Sequence, residues 1–564
     1  MEKFEKIISE AVKNLFDIEA AVELSRPEAK FGDLATNIAM QIVKQIGKNP
    51  REIAEKIAEE LRKNDNFAEV SIAGPGFINL RLSDKYLIEE LNELMKSPET
   101  YGKSKEYENK TVVTEYSDPN PFKVLHVGHF YTSVIGDSIS NLIESAGGNV
   151  HRVNFGGDVG LHVAKTIWAI IENFGGENPD KLAEIPINER SEFMGECYVL
   201  GTQAYEENEN AKSLITEYNK KIYDLHKKND RESDFAKIYW TCREWSYDYF
   251  DAFYDRIGTK FEKYYPESAT AEVGLEAVKE QLKKGVYEES NGAVIFDGEK
   301  HDLHTRVFIN REGLPTYESK DVGLAIMKWD EYHFDKSIII TGNEQAEYMK
   351  VVMKSMEQFA PEMVSRTLHL THGIVKLPGA EKMSSRKGNF LRAVDVLDLV
   401  SEEYKKAQGK ADNKLTLGAI KYTFLKNRLG GDLIFDIKES VNMQGNSGPY
   451  LQYSAVRAKS ILRNLNINFE YSDNLQTDFD KFERILLLKL IEFSDIIALA
   501  TKELSPHQIC TYLYELAQTF NRFYENSRVA GSERESLRAR LVMIYAEFLR
   551  RGLKILGIQI PEKM

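Results

Sequence analysis

The chain contains few cysteines and no long apolar run, and both absences limit the class of protein it can be. Three cysteines, Cys197, Cys242 and Cys510, occur in 564 residues; they are too scattered for a disulfide framework or a four-ligand zinc site. No apolar run approaches the roughly 18–20 residues that a membrane span requires. Met1 to Phe16 form a charged amphipathic pattern without the apolar core of a signal peptide, so we expect a cytoplasmic protein.

The chain also lacks a net positive charge: 88 Asp and Glu outnumber 74 Lys and Arg, so the formal net charge is −14. This total does not exclude a nucleic-acid partner, since RNA binding depends on local charge rather than on the sum over the chain. Between Asn521 and Ile555, eight Arg or Lys residues stand against four Glu, which leaves +4. This segment is either an RNA-binding surface or an ordinary solvated helical face. The length allows roughly three or four domains.

The segment from Thr111 to Asp158 has the pattern of one βαβ unit. A short apolar strand begins at Thr111, a helical pattern covers Ile135 to Ala146, and a second apolar strand ends in a polar turn at Asn154 to Asp158. This order predicts two parallel strands joined by a helix, with polar side chains at the edge where a ligand binds.

Two histidines lie where the first strand of this unit passes into its helix. His126 and His129 flank Gly128, so both rings and the helix N-terminus can face one phosphate group. Imidazole donors there can bind the charge that builds on phosphate oxygens during displacement. The alternative is an accidental loop with two solvated histidines, because short motifs also match by chance.

A second motif lies far downstream in a glycine-flanked loop. Lys382, Arg386 and Lys387 place three cations around the hydroxyls of Ser384 and Ser385, a combination that suits a triphosphate or pyrophosphate. Taken alone, such a segment is more often a basic surface loop. Both motifs in this order, however, resemble the paired signatures of class I aminoacyl-tRNA synthetases, which argues against chance.

Further motifs narrow the resemblance to the arginyl-tRNA synthetase family, over nearly the whole chain. The matching residues are Glu115, Ser117, Pro119, Asn120 and Lys123; Asn154, Gly157, Asp158 and Gly160; Thr316, Tyr317, Asp321 and Gln345; Gly448 to Tyr453; and Pro561 to Met564. Other positions depart from the family pattern and indicate a divergent subgroup, namely Tyr131, Val159, Leu161, His162, Lys320 and Asp118. Of these, Asp118 adds a carboxylate near the expected substrate.

The resemblance implies an α/β protein with a class I Rossmann-like catalytic core, an insertion, an N-terminal α/β tRNA-binding domain and a C-terminal all-α anticodon-binding bundle. Helical periodicity from about Leu415 onward agrees with the bundle. The expected boundaries are 1–105 for the N-terminal domain, 110–170 and 301–414 for the two catalytic halves, 171–300 for the insertion and 415–564 for the bundle. We expect no strand in the insertion before Ala293 to Phe296, and a second catalytic half that opens with the strand Thr305 to Ile309.

The activity that the resemblance implies is ATP-dependent activation of L-arginine to arginyl-adenylate, followed by transfer to the 3′ end of tRNA(Arg). Activation needs no general base, because the arginine carboxylate is already anionic; the protein holds the reactants in line and binds the spreading charge. Mg²⁺ is expected with ATP, no structural metal is expected, and a monomer is expected. The residues expected to bind ATP or to act in catalysis are Lys123, His126, Gly128, His129, Lys382, Met383, Ser384 and Lys387.

Arginine as a substrate places its own demands on the site. Its guanidinium is a planar fork of five N–H donors that needs acceptors in a matching plane. Glu115 and Asp321 are the expected carboxylates, and Tyr317, one helical turn before Asp321, adds a hydroxyl or a ring face. This interpretation requires that both carboxylates share one cavity and that neither is buried against a lysine. The other expected arginine-binding residues are Ser117, Asn120 and Gln345, the two amides binding the α-ammonium and α-carboxylate.

Five residues are expected to contact tRNA. In the N-terminal domain, Phe77 is expected to stack on a splayed base while Asn79 bonds to its edge; the alternative is a Phe77 packed within its own domain. In the bundle, Tyr453 and Arg457 share one helix face, which the resemblance assigns to the anticodon loop, with Met564 near it. A buried aromatic stripe is the alternative there.

Two other functions remain open at this point. One is a class I synthetase for another amino acid, or a smaller nucleotidyltransferase, although the latter does not need a basic helical bundle. The other is a non-catalytic RNA-binding paralogue, which would be expected to lose a signature histidine or the lysine-rich loop.

Overall fold

A computed structural model describes residues 1–378, 391–410, 412–465 and 478–564 of the chain. Its strands are β1 Leu34–Thr36, β2 Phe67–Ala73, β3 Phe77–Leu82, β4 Thr111–Glu115, β5 Asn149–Gly156, β6 Lys263–Pro266, β7 Glu288–Ser290, β8 Ala293–Phe296, β9 Arg306–Ile309, β10 Lys336–Gly342, β11 Thr367–His372, β12 Val375–Lys376 and β13 Leu433–Ile434. Its α-helices are α1 Glu2–Phe16, α2 Ile38–Gln41, α3 Val43–Ile46, α4 Pro50–Leu61, α5 Asp84–Lys96, α6 Val127–Ser145, α7 Leu161–Asn173, α8 Arg190–Glu207, α9 Glu209–Lys228, α10 Asp234–Ile257, α11 Glu267–Lys283, α12 Tyr317–Tyr332, α13 Ala346–Glu357, α14 Pro361–Ser365, α15 Ala393–Gln408, α16 Asn413–Leu425, α17 Ile437–Ser440, α18 Gly448–Arg463, α19 Lys481–Glu503, α20 Pro506–Asn526 and α21 Glu535–Ile555.

A five-stranded parallel sheet forms the middle of the molecule, in the order β11-β10-β4-β5-β6. Its central strand, β4, is buried at four of its five positions, as expected for a parallel strand covered on both faces. The chain runs from β4 through α6 to β5 on one side and later adds β10 on the other side. The strand order therefore reverses between β4 and β10, which opens a crevice for a ligand at their carboxyl ends.

One prediction about the middle of the chain is wrong. The segment expected to contain no strand before Ala293 contributes β6, which pairs with β5 at the edge of the parallel sheet. A strand as short as β6 carries too little periodicity to be recognised in the sequence, and its partner lies far away along the chain. Strand β9, where the second catalytic half is expected to begin, pairs with β8 in a separate antiparallel sheet.

The N-terminal unit packs helices on a small antiparallel sheet of order β1-β3-β2. Helix α1 buries Phe4, Ile8, Ala11 and Val12, a stripe with the spacing of one helix face. The unit contacts α19 through an ion pair between Arg484 and Asp33, among others.

From α16 onward the described residues are mainly helical, and the predicted fold class is confirmed. Helix α19 begins with a capping box, in which Asp480 accepts the backbone N–H of Glu483 at 2.9 Å. The buried Glu483 carboxylate in turn accepts bonds from Arg534 and Arg538 on or beside α21. In the described ranges, none of the helices has both the length and the apolar character of a membrane span.

Candidate active site

A cavity of about 790 Å³ lies where the strand order reverses. Its walls come from the ends of β4 and β10, the N-terminus of α6, and helices α12 and α13. Nine predicted site residues line it, namely Glu115, Ser117, Asn120, His126, Gly128, His129, Tyr317, Asp321 and Gln345. Motifs that are far apart in the sequence therefore meet at one sheet edge. Four other predicted residues, Lys382, Met383, Ser384 and Lys387, lie outside the described residues.

The two histidines are arranged by the backbone at the start of α6. The N–H of Gly128 donates to Nδ1 of His126 at 3.1 Å, and the N–H of His126 donates to Nδ1 of His129 at 3.2 Å. Since Nδ1 accepts in both rings, a neutral ring carries its proton on Nε2, which leaves an N–H donor on each. The rings stack with their centroids 3.8 Å apart.

Both histidines are neutral at physiological pH. Burial lowers the pKa of His126 to about 4, and the charge of Lys123 adds to this effect. Burial also holds the pKa of His129 well below its usual value, with further contributions from His126 and Lys123. The pair therefore offers hydrogen-bond donors to a phosphate rather than fixed positive charge.

The part of the cavity lining that the structure describes is acidic. In it, two cations, Arg306 and Lys376, are outnumbered by six carboxylates, those of Glu115, Asp118, Glu267, Glu318, Asp321 and Glu344. Burial raises the pKa of Asp321 to about 8, and the nearby charges of Glu115, Glu267 and Glu318 add to it, although the hydrogen bond from Tyr348 opposes it. Burial, followed by repulsion from Glu115, raises the pKa of Asp118 well above its usual range. A cationic ligand would relieve this repulsion.

One part of the arginine prediction is wrong. Glu115 shares the cavity with Asp321, but its carboxylate is paired with the ammonium of Lys328, and both side chains are buried. Lys328 lies seven residues after Asp321 on α12, two turns along the same helix face. Asp118 and Asp321, by contrast, form no ion pair with any residue in the described ranges. Glu344 also lines the cavity without an ion pair in these ranges, but it is exposed, whereas Asp118 and Asp321 are part-buried and better placed to bind a guanidinium.

The turn after β4 is held in an unusual backbone conformation. Ser117 and Asp118 both have positive φ, 74° and 46°, a region that non-glycine residues rarely occupy and that is often found at functional sites. The Ser117 hydroxyl bonds to the Tyr254 hydroxyl at 2.8 Å, and the Asp118 carboxylate accepts the Phe155 N–H at 2.9 Å. These contacts fix the Asp118 carboxylate beside the cavity.

Helix α12, which carries Asp321, packs so closely against α11 that the two backbones are in contact. A Cβ added at Gly274 would overlap the Ser319 carbonyl oxygen, and one added at Gly323 would overlap the Thr270 carbonyl oxygen. Lys320, one of the departures from the family pattern, pairs with the buried Glu267 of α11 at 2.5 Å. The position of Asp321 thus depends on how closely α11 and α12 approach.

Lys123 does not lie among the described residues that line the cavity. Its ammonium lies 4.3 Å from the ring centroid of Tyr198 on α8. The prediction that it contacts the phosphates therefore lacks geometric support, because this side chain points toward the inserted helices. Its charge still reaches the histidines and lowers their pKa values.

The predicted RNA contacts differ in accessibility. Phe77 and Tyr453 are each 42% exposed, as stacking on a base requires. Asn79 is only 6% exposed and lies on the central strand β3, between Ala35 and Ser71 on the flanking strands; its bond to a base edge stays a prediction.

The other two predicted contacts are at the C-terminal end. The guanidinium of Arg457 lies over the Tyr524 ring at 4.5 Å, and Met564 is partly buried against the core.

Comparison with known proteins gives three family matches. Residues 90–437 match the catalytic domain of class I tRNA synthetases (R), residues 2–82 the arginyl-tRNA synthetase N-terminal domain, and residues 451–564 the DALR anticodon-binding domain. The chain belongs to the arginyl-tRNA synthetase family of class I.

Relatives and solved structures agree with this family. An arginine–tRNA ligase of Clostridium perfringens is 31% identical over the full length of both chains, and one of Porphyromonas gingivalis is 29% identical, also over the full length of both. The fold is similar to arginyl-tRNA synthetase structures from Plasmodium falciparum (TM-score 0.79, 24% identity, 100% of this chain and 99% of that chain) and Thermus thermophilus (TM-score 0.78, 22% identity, 100% of both).

Several residues of this synthetase site were not recognised in the sequence. Tyr348 donates a hydrogen bond to Asp321, and His372, at the end of β11, bonds to Thr132 of α6 at 2.8 Å. Tyr348 lies three residues after the predicted Gln345, so its place beside the site could have been inferred from helical spacing. Lys328 gave no such signal, since a lysine in an amphipathic helix usually faces solvent.

Proposed function

We propose that the chain uses ATP to activate L-arginine as arginyl-adenylate and then transfers the arginyl group to tRNA(Arg). The observation that carries the proposal is the acidic cavity itself. Two part-buried carboxylates, Asp118 and Asp321, have no ion pair among the described residues and lie beside two neutral histidine donors at a helix N-terminus. A substrate with a cationic fork at one end and a reacting carboxylate at the other fits this division of charge.

In this proposal the guanidinium lies between Asp118 and Asp321, with Tyr317 beside it. Asn120 and Gln345 bind the α-ammonium and α-carboxylate, so that the carboxylate can attack the α-phosphorus of ATP in line. Ser117 supports this end of the site through its bond to Tyr254. Each charge-assisted hydrogen bond contributes about 1.5–3 kcal/mol, so an uncharged analogue of arginine would be rejected strongly.

The Nε2–H groups of His126 and His129 donate to the phosphate oxygens as negative charge develops, and Gly128 admits the nucleotide. Removal of one such donor typically slows a reaction by about 10²–10³-fold. Mg²⁺ belongs to the ATP substrate and is held by its phosphates and water. Lys382 and Lys387 are assigned to the pyrophosphate, with Met383 and Ser384 beside the nucleotide, on the sequence motif alone.

For tRNA we propose contacts at both ends of the molecule. Phe77 stacks on a base at the outer corner, and Tyr453 stacks at the anticodon with Arg457 and Met564 close by. We further propose that the protein acts as a monomer in the cytoplasm.

The test is ATP–pyrophosphate exchange with each amino acid in turn, with and without tRNA(Arg). Exchange that depends on arginine and on no other amino acid supports the proposal. Exchange with a different amino acid would assign another class I specificity, and RNA binding without any exchange would indicate a non-catalytic paralogue.

Two variants test the phosphate-binding and the arginine-binding parts of the site separately. His129→Ala should slow adenylate formation in single turnover by about 10²-fold or more, while tRNA affinity stays unchanged. Asp321→Ala should bind arginine far more weakly and retain ATP binding. An unchanged single-turnover rate in the first variant, or unchanged arginine affinity in the second, contradicts the assigned role.

A further inference from the structure

A second cavity of about 840 Å³ lies at the end of the parallel sheet opposite to the active site. Val150 and Arg152 come from the first half of β5, and Lys260 and Phe261 immediately precede β6. These are the amino ends of the parallel strands, whereas the active-site cavity lies at the carboxyl ends. The remaining walls are α6, α16, α18, α21 and the chain that follows α21.

Positive charge dominates this second cavity, although the whole chain is acidic. Among the described residues that line it, six cations outnumber two carboxylates, Asp137 and Glu262. Two of the cations, Arg152 and Arg550, are paired with Glu144 and Glu547 outside the lining; the others are Lys260, Lys421, Lys459 and Lys554. Concentrated cations in a concave, partly apolar wall raise the local concentration of anions.

The pairing of these cations leaves much of their charge available. Lys260, Lys459 and Lys554 form no ion pair with any residue that the structure describes, and all three are exposed. Lys421 is only 4% exposed, and its ammonium donates to the carbonyl oxygen of Gly557 at 3.0 Å. Burial lowers the pKa of Lys421, and the charge of Asp137 opposes this shift, so the three exposed lysines are the main source of positive charge for a ligand.

We propose that this cavity is a binding site for a compound with a di- or triphosphate chain. Several lysines around one concavity match adjacent phosphate groups, and the partly exposed Phe261 and Ile560 offer an apolar surface for a base. The proposal is independent of the arginine-activating function.

A small ligand fits this place better than tRNA does. Tyr453 and Arg457, the proposed anticodon contacts, lie on one face of α18, and Lys459 follows Arg457 by two residues, about 200° around the helix. RNA that stacks on Tyr453 would therefore lie on a different face of α18 from Lys459.

The test is calorimetric titration of the full chain with inorganic tripolyphosphate and, separately, with GTP. The double variant Lys459→Ala/Lys554→Ala removes two exposed, unpaired cations of the cavity and should weaken binding by about tenfold or more. Its matched control is Lys438→Ala/Lys502→Ala, which removes the same charge at exposed positions elsewhere and should bind as the native chain does.

The outcomes separate the possible ligands. Tighter binding of GTP than of tripolyphosphate identifies a nucleotide, and equal binding identifies the phosphate chain alone; both support the site. No binding, or equal binding by the two double variants, overturns it. A raised KM for tRNA in Lys459→Ala/Lys554→Ala with tripolyphosphate binding intact assigns the cations to RNA and also overturns it. Arginine-dependent exchange, measured on the same samples, should be unchanged in both variants.

Discussion

At the scale of single residues, the active site is defined by which carboxylates are paired with a cationic side chain and which are not. Glu115 is neutralised by Lys328, whereas Asp321 has only the Tyr348 hydroxyl as a close side-chain partner among the described residues. Because the pKa of Asp321 is about 8, this carboxyl group carries a proton at neutral pH until a cation binds beside it. A guanidinium favours the ionised carboxylate, so arginine binding must displace this proton.

We therefore predict that arginine affinity rises with pH up to about pH 8 and then levels off. The raised pKa belongs to the unliganded protein, so below it each binding event releases a proton, and the limit for one proton is about tenfold per pH unit. Titration calorimetry in two buffers of different ionisation enthalpy measures the release directly. Asp321→Asn has no titratable group at this position, so the rise of arginine affinity that comes from proton release by Asp321 should be absent in the variant. An arginine-affinity pH profile identical to that of the native chain would contradict the role given to Asp321.

The Glu115–Lys328 pair makes a second prediction at this scale. Lys328→Ala leaves a buried carboxylate without a counter-ion, and loss of one partner of such a pair costs about 3–5 kcal/mol. The variant should show a lower melting temperature in scanning calorimetry, and Glu115→Gln/Lys328→Met should recover most of the loss. Lys350→Ala is the control, because it breaks an exposed pair with Glu347, worth at most about 1 kcal/mol. A melting temperature no lower than that of the control would contradict the structural role.

At the scale of elements, the crossing of α11 and α12 sets the position of Asp321. Gly274→Ala should force the helices apart, because the new methyl group would overlap the Ser319 carbonyl oxygen. We expect the KM for arginine to rise about tenfold to a hundredfold, since small displacements of binding groups weaken catalysis strongly. Gly431→Ala, where an added Cβ would meet open space, should leave the KM unchanged. An unchanged KM in Gly274→Ala would show that the crossing does not control the site.

At the scale of the whole molecule, the N-terminal unit is joined to the helical region by a few part-buried ion pairs. The Arg484 guanidinium donates to the Asp33 carboxylate at 2.7 Å and to the Leu82 carbonyl oxygen at 2.8 Å. The proposed tRNA contacts at Phe77 and Tyr453 lie on the two sides of this junction. Its rigidity should therefore govern how well both contacts are made at once.

Arg484→Ala should raise the KM for tRNA several-fold while the KM for arginine stays the same. The reason is that loss of a part-buried charged partner costs about 1–3 kcal/mol at the junction and leaves the distant catalytic cavity intact. Steady-state aminoacylation measures both constants, and Lys502→Ala on the same helix is the control. Equal effects on both substrates would mean that the variant perturbs the fold rather than the junction.

The sequence by itself determined the family, the fold class and nine of the described residues that line the active-site cavity. Its information was local and chemical: the histidine spacing around Gly128 is also the capping arrangement of α6, and helical periodicity near the C-terminus reflects one-sided burial. Only the tertiary structure decided that Lys328 neutralises Glu115, that Asn79 is buried within its sheet, and that β6 completes the parallel sheet. Each of these depends on a partner from a distant part of the chain or from a neighbouring strand. Burial and charge pairing arise only when the two segments pack together, so neither segment's sequence reveals them alone.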